Sequence, residues 1–209
     1  MGRYTGPLCK LCRRRGEKLY LKNERCFSSK CSFSRRSYVP GVSGPKRRRA
    51  KKMSDYSIRL NEKQKARQIY GMGEKQFRKF FMIASRKKGI TGENLLKLLE
   101  FRLDNFVYRV GFAVSRFQAR QFVRHGHILV NSKKVNIPSY ILKVNDEIAI
   151  GPTSQKMFKD TFEVVAKKKM PPYCSFDKEK KTAKLLTSLN REDIDVPVDE
   201  QLIVEYYSR

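Results

Sequence analysis

The stretch "FRLDNFVYRVGFAVSRFQARQFVRHGHILVNSKKVNIPSYILKVNDEIAI", residues 101–150, starts with helical signals and finishes with those of strands. A helix ends at Gly111, and Ser115 with Gln118 forms a capping box that opens the next helix. On this second helix Arg116, Arg120 and Arg124 sit four apart as one basic stripe, while Ala119, Phe122 and Val123 face a core. Gly126 ends it. "HILV", the polar "NSKK" and "VNI" then read as a short hairpin, and "DEIAI" as a further strand. A basic helix is thus backed by a small sheet, with His125, His127, Lys133 and Lys134 at the junction and Arg109 on the preceding helix. The two histidines do not make a metal pair, because no other ligand is near in sequence and the setting is basic. A helix-turn-helix DNA reader shares the basic second helix, but a hairpin fused directly behind that helix argues against it.

The charge around this stretch names a class of partner. The 209 residues carry 47 Lys+Arg against 20 Asp+Glu, a formal charge of +27. Residues 1–52 hold a net +15, residues 53–169 a net +14, and residues 170–209 a net −2. A compact chain so charged repels itself unless a polyanion neutralises it. Nucleic acid fits better than a merely solvated surface, and no basic amphipathic anchor points to a membrane. No run approaches the ~18 apolar residues of a membrane span. The N-terminal "MGRYTGPLCK" lacks the apolar stretch of a secretory signal. The chain is therefore expected inside the cell, where disulfides rarely persist.

Four cysteines fall near the N-terminus, Cys9 and Cys12 as CxxC and Cys26 and Cys31 as CxxxxC. Three readings compete: a structural zinc ion in four thiolates, an unmetallated cluster, and redox or disulfide use. Structural zinc is the expectation, a metal that orders a segment too short and too charged to fold on its own. Around it Arg3, Arg13, Arg14, Arg15, Arg35 and Arg36 would form a rigid basic knob. Phe27 and Phe33 can pack locally or stack on bases, with packing the favoured role. Cys174 has no companion in sequence.

"YVPGVSGPKRRRAKKMSDYS" follows, rich in Gly, Pro and Ser, with Arg47, Arg48, Arg49, Lys51 and Lys52 in one cluster. It reads as a linker or an extended segment that hugs RNA. Helices follow from Ser54, stopping at Gly71 and Gly89, and Thr91 can cap a third. There Leu95, Leu99, Leu103, Phe106 and Val110 recur at spacings of three or four, a core-facing stripe. "SQKMFKDTFEVVAKKKM" reads as an inserted helix, followed by two short strands in "PPYCSFDKEKKTAKLLTSL". The acidic tail, with Asp193, Asp195, Asp199 and Glu200, is repelled by phosphates and suits solvent or a protein neighbour.

These residues resemble the bacterial-type S-four family of small-subunit ribosomal proteins. The likeness runs from "GRYTGP" through the four cysteines, "SDYSIRLNEKQKARQIYG", "TGENLLKLLE", "RLDNFVYRVGF" and "RHGHILVNSKKVNIPSY" to "EQLIVEYYSR". Within the family the chain resembles the zinc-containing branch, and the stretch from Phe101 to Ile150 looks like the RNA-binding module named after it. The resemblance implies a primary binder of small-subunit ribosomal RNA at a multi-helix junction, acting early in assembly. It also implies a place near the messenger RNA entry path, beside ribosomal proteins five and three, with links to translational accuracy. Arg49, Lys51 and Lys52 match the family's stretch at the messenger entry channel. The tail's neighbour would be ribosomal protein five. "PGVSG" departs from the family's Gly-Gln-His-Gly turn, and Tyr173 stands where a tryptophan is usual.

The sequence therefore predicts an α+β protein. It comprises an N-terminal zinc knot and basic extension over 1–45, a helical lobe over 46–100 completed by 151–209, and a module over 101–150 of two helices packed on a short-stranded sheet. Enzymes that modify RNA carry such a module beside a sizeable catalytic domain. Here no phosphate-cradling Gly loop, nucleophile triad or paired acid is visible. No catalytic residue, small-molecule substrate or membrane partner is expected.

Overall fold

The computed structural model describes residues 4–42, 44, 53–158, 161–162, 171–177, 179–187 and 189–208. The chain forms two compact units, Met1–Gly92 with Val196–Arg209, and Glu93–Asp195.

In the first unit α1 (Leu8–Arg15) ends at Gly16, whose N–H donates to the Cys12 carbonyl at 3.0 Å. Two short helices follow, α2 (Glu24–Phe27) and α3 (Ser32–Arg35), and α1 packs against α3. Cys12, Leu19, Leu21, Cys26 and Cys31 supply the buried apolar side chains of this segment. The longer α4 (Asp55–Ile69) begins where the Ser54 hydroxyl accepts the Ser57 N–H at 3.4 Å, an N-cap that satisfies an otherwise orphaned donor. In α5 (Glu74–Ser85), Phe77, Phe80, Phe81 and Ala84 bury one face at helical spacing. The last helix, α9 (Glu200–Tyr207), returns to pack on α4. Arg59 donates to Glu205 at 2.6 Å, and buried Lys63 reaches Glu74 at 2.8 Å with its ammonium 4.4 Å from the Tyr206 ring centre. The Tyr207 hydroxyl donates to Glu74 at 2.8 Å while its ring stacks on Phe81 at 4.5 Å. The approach is close: a Cβ at Gly92 would come within 2.7 Å of Glu200 Cγ.

The second unit pairs helices with a sheet. After α6 (Thr91–Glu100), α7 (Leu103–Val110) and α8 (Arg116–Arg124) pack on each other. The expected stripe of Leu95, Leu99, Leu103, Phe106 and Val110 is buried. Five antiparallel strands follow in the order β2-β1-β3-β5-β4: β1 (Ile128–Val130), β2 (Lys133–Lys134), β3 (Glu147–Ile150), β4 (Cys174–Asp177) and β5 (Thr182–Leu185). The strands in "HILV" and "DEIAI" stand where the sequence placed them, with Val130 opposite Lys133 and Ile148. The hairpin turns earlier than expected: its second strand is Lys133–Lys134, inside the predicted polar turn, and "VNI" is not a strand. The sheet does not stop at residue 150. β5 pairs with β3 at Ile148↔Ala183, so residues after the module extend its sheet, and of 151–209 the part from Val196 onward belongs to the first unit. Of the predicted inserted helix, residues 154–158 belong to a 3₁₀ helix that starts at Pro152 and 161–162 are helical; the remainder lies outside the described residues. Among the described residues no helix is long and apolar enough to cross a membrane.

The zinc knot is corrected. Among the described residues no group of three or more His, Cys, Asp or Glu stands where it could hold a metal ion. Cys9, Cys12, Cys26 and Cys31 are free cysteines, the last three buried, so neither the zinc cofactor nor a disulfide framework holds the segment. Burial pushes the Cys12 and Cys26 thiols above their ordinary value. For Cys31 burial also pushes upward, but hydrogen bonds at the start of α3, from Ser34 and Phe33, bring its thiol down. CxxC on a helix puts Cys9 and Cys12 on one face, a spacing that serves a small apolar core as well as a metal. The chain is thus not of a zinc-containing branch, and its N-terminal segment is a thiol-packed cluster of short helices.

Candidate nucleic-acid interface

Two carboxylates decide where the arginines of the second unit point. Glu100 and Asp104 are 1% and 4% exposed, and a carboxylate so buried needs cations and donors around it. Arg102, itself buried, donates to both Asp104 oxygens at 3.0 and 2.6 Å, and Arg120 Nη1 reaches Asp104 at 3.3 Å. Arg109 forks onto Glu100 with two bonds of 2.9 Å, and Asn105 Nδ2 adds a third at 2.7 Å. Arg116 Nε donates to Asn105 Oδ1 at 2.7 Å, and its guanidinium lies 4.6 Å from the Tyr108 ring centre. The network joins α7 to α8. Tyr173 is buried at the same unit's core, and burial followed by the nearby Glu100 charge pushes its hydroxyl well above the ordinary tyrosine range.

The predicted stripe therefore divides. Residues four apart drift about 40° per step around a helix. Arg116 is half-buried, Arg120 buried and Arg124 exposed. Arg109 joins the internal set. Arg124, His125, Lys133 and Lys134 are exposed, and Gly126 brings two elements of that group together. Gly126 has φ 74°, and a Cβ there would meet Lys134 Cε at 2.1 Å and Nζ at 2.9 Å. Lys134 therefore lies across the turn that follows Arg124 and His125. Asn131, which the sequence reading passed over, fixes the hairpin. Its N–H donates to the Glu147 carbonyl at 2.8 Å, and its side chain bonds Asp146 at 2.8 Å and the Glu147 N–H at 2.9 Å. Its φ of 49° and that of Ser132, 66°, mark a tight turn that the "NS" pair could have signalled. His127 belongs to packing: Nδ1 lies 2.7 Å from the Ser154 hydroxyl, and its ring meets Phe122 edge-on.

In the first unit the same sorting appears. Arg13 donates to the Tyr38 carbonyl at 3.0 Å and lies over the Tyr38 ring at 4.7 Å. Arg15 bonds Gln68 at 3.2 Å and Asn61, and burial, then the adjacent Arg14 and Arg67 charges, pushes its guanidinium below the ordinary value. Arg14, Arg35 and Arg36 are exposed, with Arg35 Nε donating to the Ser29 carbonyl at 3.0 Å. Arg3, Arg47, Arg48, Arg49, Lys51 and Lys52 lie outside the described residues. The acidic tail is also partly committed. The Asp193 side chain accepts the Asn190 N–H at 3.0 Å in a capping box, and Asp199 caps α9 through the Gln201 and Leu202 N–H groups. Asp195 is exposed, and Glu200 packs beside Gly92. Asp193 and Asp195 fall in the second unit, Asp199 and Glu200 in the first.

Comparison with known proteins adds an independent line. The family described as "Ribosomal protein S4/S9 N-terminal domain" matches residues 3–100, and the family described as "S4 domain" matches residues 101–148. The small ribosomal subunit protein uS4 of Thermus thermophilus is 54% identical, with all of both chains covered. Proteins of the same name from Syntrophomonas wolfei and Halothermothrix orenii are 55% and 53% identical, again over the full length of both chains.

Proposed function

Because the chain belongs to the S4 family of small-ribosomal-subunit proteins, we propose that it is a structural, ribosomal-RNA-binding component of the small subunit in a bacterial-type cytoplasm, and not an enzyme. The observation that carries the mode of binding is the exposed edge of Arg124, His125, Lys133 and Lys134, assembled across Gly126 from a helix end and a hairpin. Cations gathered from a helix end and a hairpin suit phosphates of folded RNA, read by shape more than by base. Arg14, Arg35 and Arg36 offer a second set on the N-terminal segment. Arg109, Arg116 and Arg120 act one step back: they bind the buried carboxylates and hold α8 in place.

The RNA target is a multi-helix junction of the small-subunit ribosomal RNA, bound early in assembly. The basic run of Arg49, Lys51 and Lys52 is assigned to messenger RNA near its entry. Ribosomal proteins five and three are the neighbours, with the acidic tail of Asp193, Asp195, Asp199 and Glu200 turned to them; Asp195 and Asp199 are exposed, and Asp193 and Asp199 also cap their helices. Sedimentation tests the assignment. The chain is expected to travel with the small subunit after a high-salt wash; recovery only in the soluble fraction would reject it.

A further inference from the structure

Two aromatic rings stand exposed on the N-terminal segment, where packing was the expected role for one of them. Tyr20 is 45% exposed and Phe27 is 71% exposed, and their rings stack with centroids 5.0 Å apart and planes at 28°. The backbone under both rings is anchored. Leu19 and Leu21 flank Tyr20 and are both buried, as is Cys26 beside Phe27, so buried neighbours anchor the backbone under each ring. The turn between them is closed by the Asn23 N–H on the Tyr20 carbonyl at 3.3 Å and the Cys26 N–H on the Asn23 carbonyl at 2.7 Å. In the chain on either side of Phe27 the exposed charges are mainly positive: Lys22, Arg25, Lys30 and Arg35 against Glu24. Arg25, Lys30 and Arg35 line one hollow with Glu24 and Ser28.

We propose that the Tyr20–Phe27 stack is a platform for one unpaired RNA base, which adds itself to the open side of Phe27 while Arg25 and Lys30 take the flanking phosphates. The inference rests on the RNA-binding reading above and deepens it. A ring that anchors a protein partner sits in a patch depleted of charge. Here the ring belongs to a short segment whose exposed charges are mostly cations, a composition that suits single-stranded nucleic acid. A base inside a duplex is already stacked on both faces, so an unpaired base is the one that can reach the platform.

The test uses the full chain and full-length small-subunit ribosomal RNA, with affinity measured across a potassium chloride series. Phe27→Ala and Phe27→Leu should each weaken binding about 5- to 100-fold at fixed salt, the range of one base–aromatic stack. The slope of log affinity against log salt should not change, because no phosphate contact is lost. Tyr20→Phe keeps the ring and should bind as wild type. Arg25→Gln with Lys30→Gln should instead lower the slope, by roughly 0.7–0.9 for each contact. Phe27 is mostly exposed, so folding should survive; if the alanine variant melts early, the leucine variant, which keeps apolar bulk without the ring, decides. Wild-type affinity in Phe27→Leu overturns the platform, as does a fall in slope that tracks its loss of affinity. A wild-type chain that does not bind the RNA overturns the RNA-binding reading and the platform with it.

Discussion

Asp104 shows how one side chain sorts the arginines around it. It is buried between Arg102 and Arg120, and neither guanidinium can be left there without its carboxylate. Asp104→Asn should therefore cost about 3–5 kcal/mol, the usual penalty for stranding a buried charge, and a thermal melt reads it directly. Arg124→Gln removes an exposed guanidinium and should leave the melting temperature unchanged while weakening RNA binding. Glu74 gives the pH counterpart in the first unit. Burial pushes its carboxyl up, but hydrogen bonds from Lys63 and Tyr207 outweigh it and hold the group below its ordinary 4.5. A carboxylate held low contributes stability that is complete above 4.5 and is lost as pH falls through the folded value. Melts of wild type should therefore drop on acidification by more than those of Glu74→Gln; parallel curves would remove Glu74 from the acid response.

At the scale of elements, the caps explain where helices begin. Asp199 accepts two N–H groups at the start of α9, and Asp199→Ala should cost about 0.5–2 kcal/mol, seen as a lower melting temperature. Local signals of this kind were legible in the sequence. Ser115 does cap α8, although Gln118 returns its bond to the Val114 N–H at 2.8 Å, one residue earlier than a standard box. Gly111 and Gly126 end their helices, and β1 and β3 are where alternation placed them, while β2 forms at Lys133–Lys134 and not at "VNI". What sequence could not supply was long-range pairing. Nothing local at Thr182–Leu185 says that this strand joins β3, and nothing at Glu200–Tyr207 says that this helix returns to α4. The site was legible to the same degree. Spacing put Arg116, Arg120 and Arg124 on one face but did not reveal that a buried carboxylate claimed the middle one. Cysteine spacing brought four thiols within one segment but did not decide between ligation and packing, and packing won.

Across the whole molecule, a charge of +27 is sustained by dividing cations between two tasks. Those of Arg102, Arg109, Arg116 and Arg120 are committed to internal carboxylates and amides, which keeps α7 and α8 in register. Those of Arg124, Lys133 and Lys134 remain at the surface, the first at the end of α8, which the network fixes, and the other two on β2. RNA affinity should then depend on salt through surface cations such as these and not through the internal set, since counterion release counts only contacts to phosphate. Aromatic stacking adds affinity without adding salt dependence. The direct test replaces Arg124, Lys133 and Lys134 together with glutamine and measures log affinity for small-subunit ribosomal RNA against log salt. The slope should fall by roughly 0.7–0.9 for each of the three contacts, with the melting temperature unchanged. An unchanged slope in a well-folded triple variant would contradict the division and place the RNA contacts elsewhere on the chain.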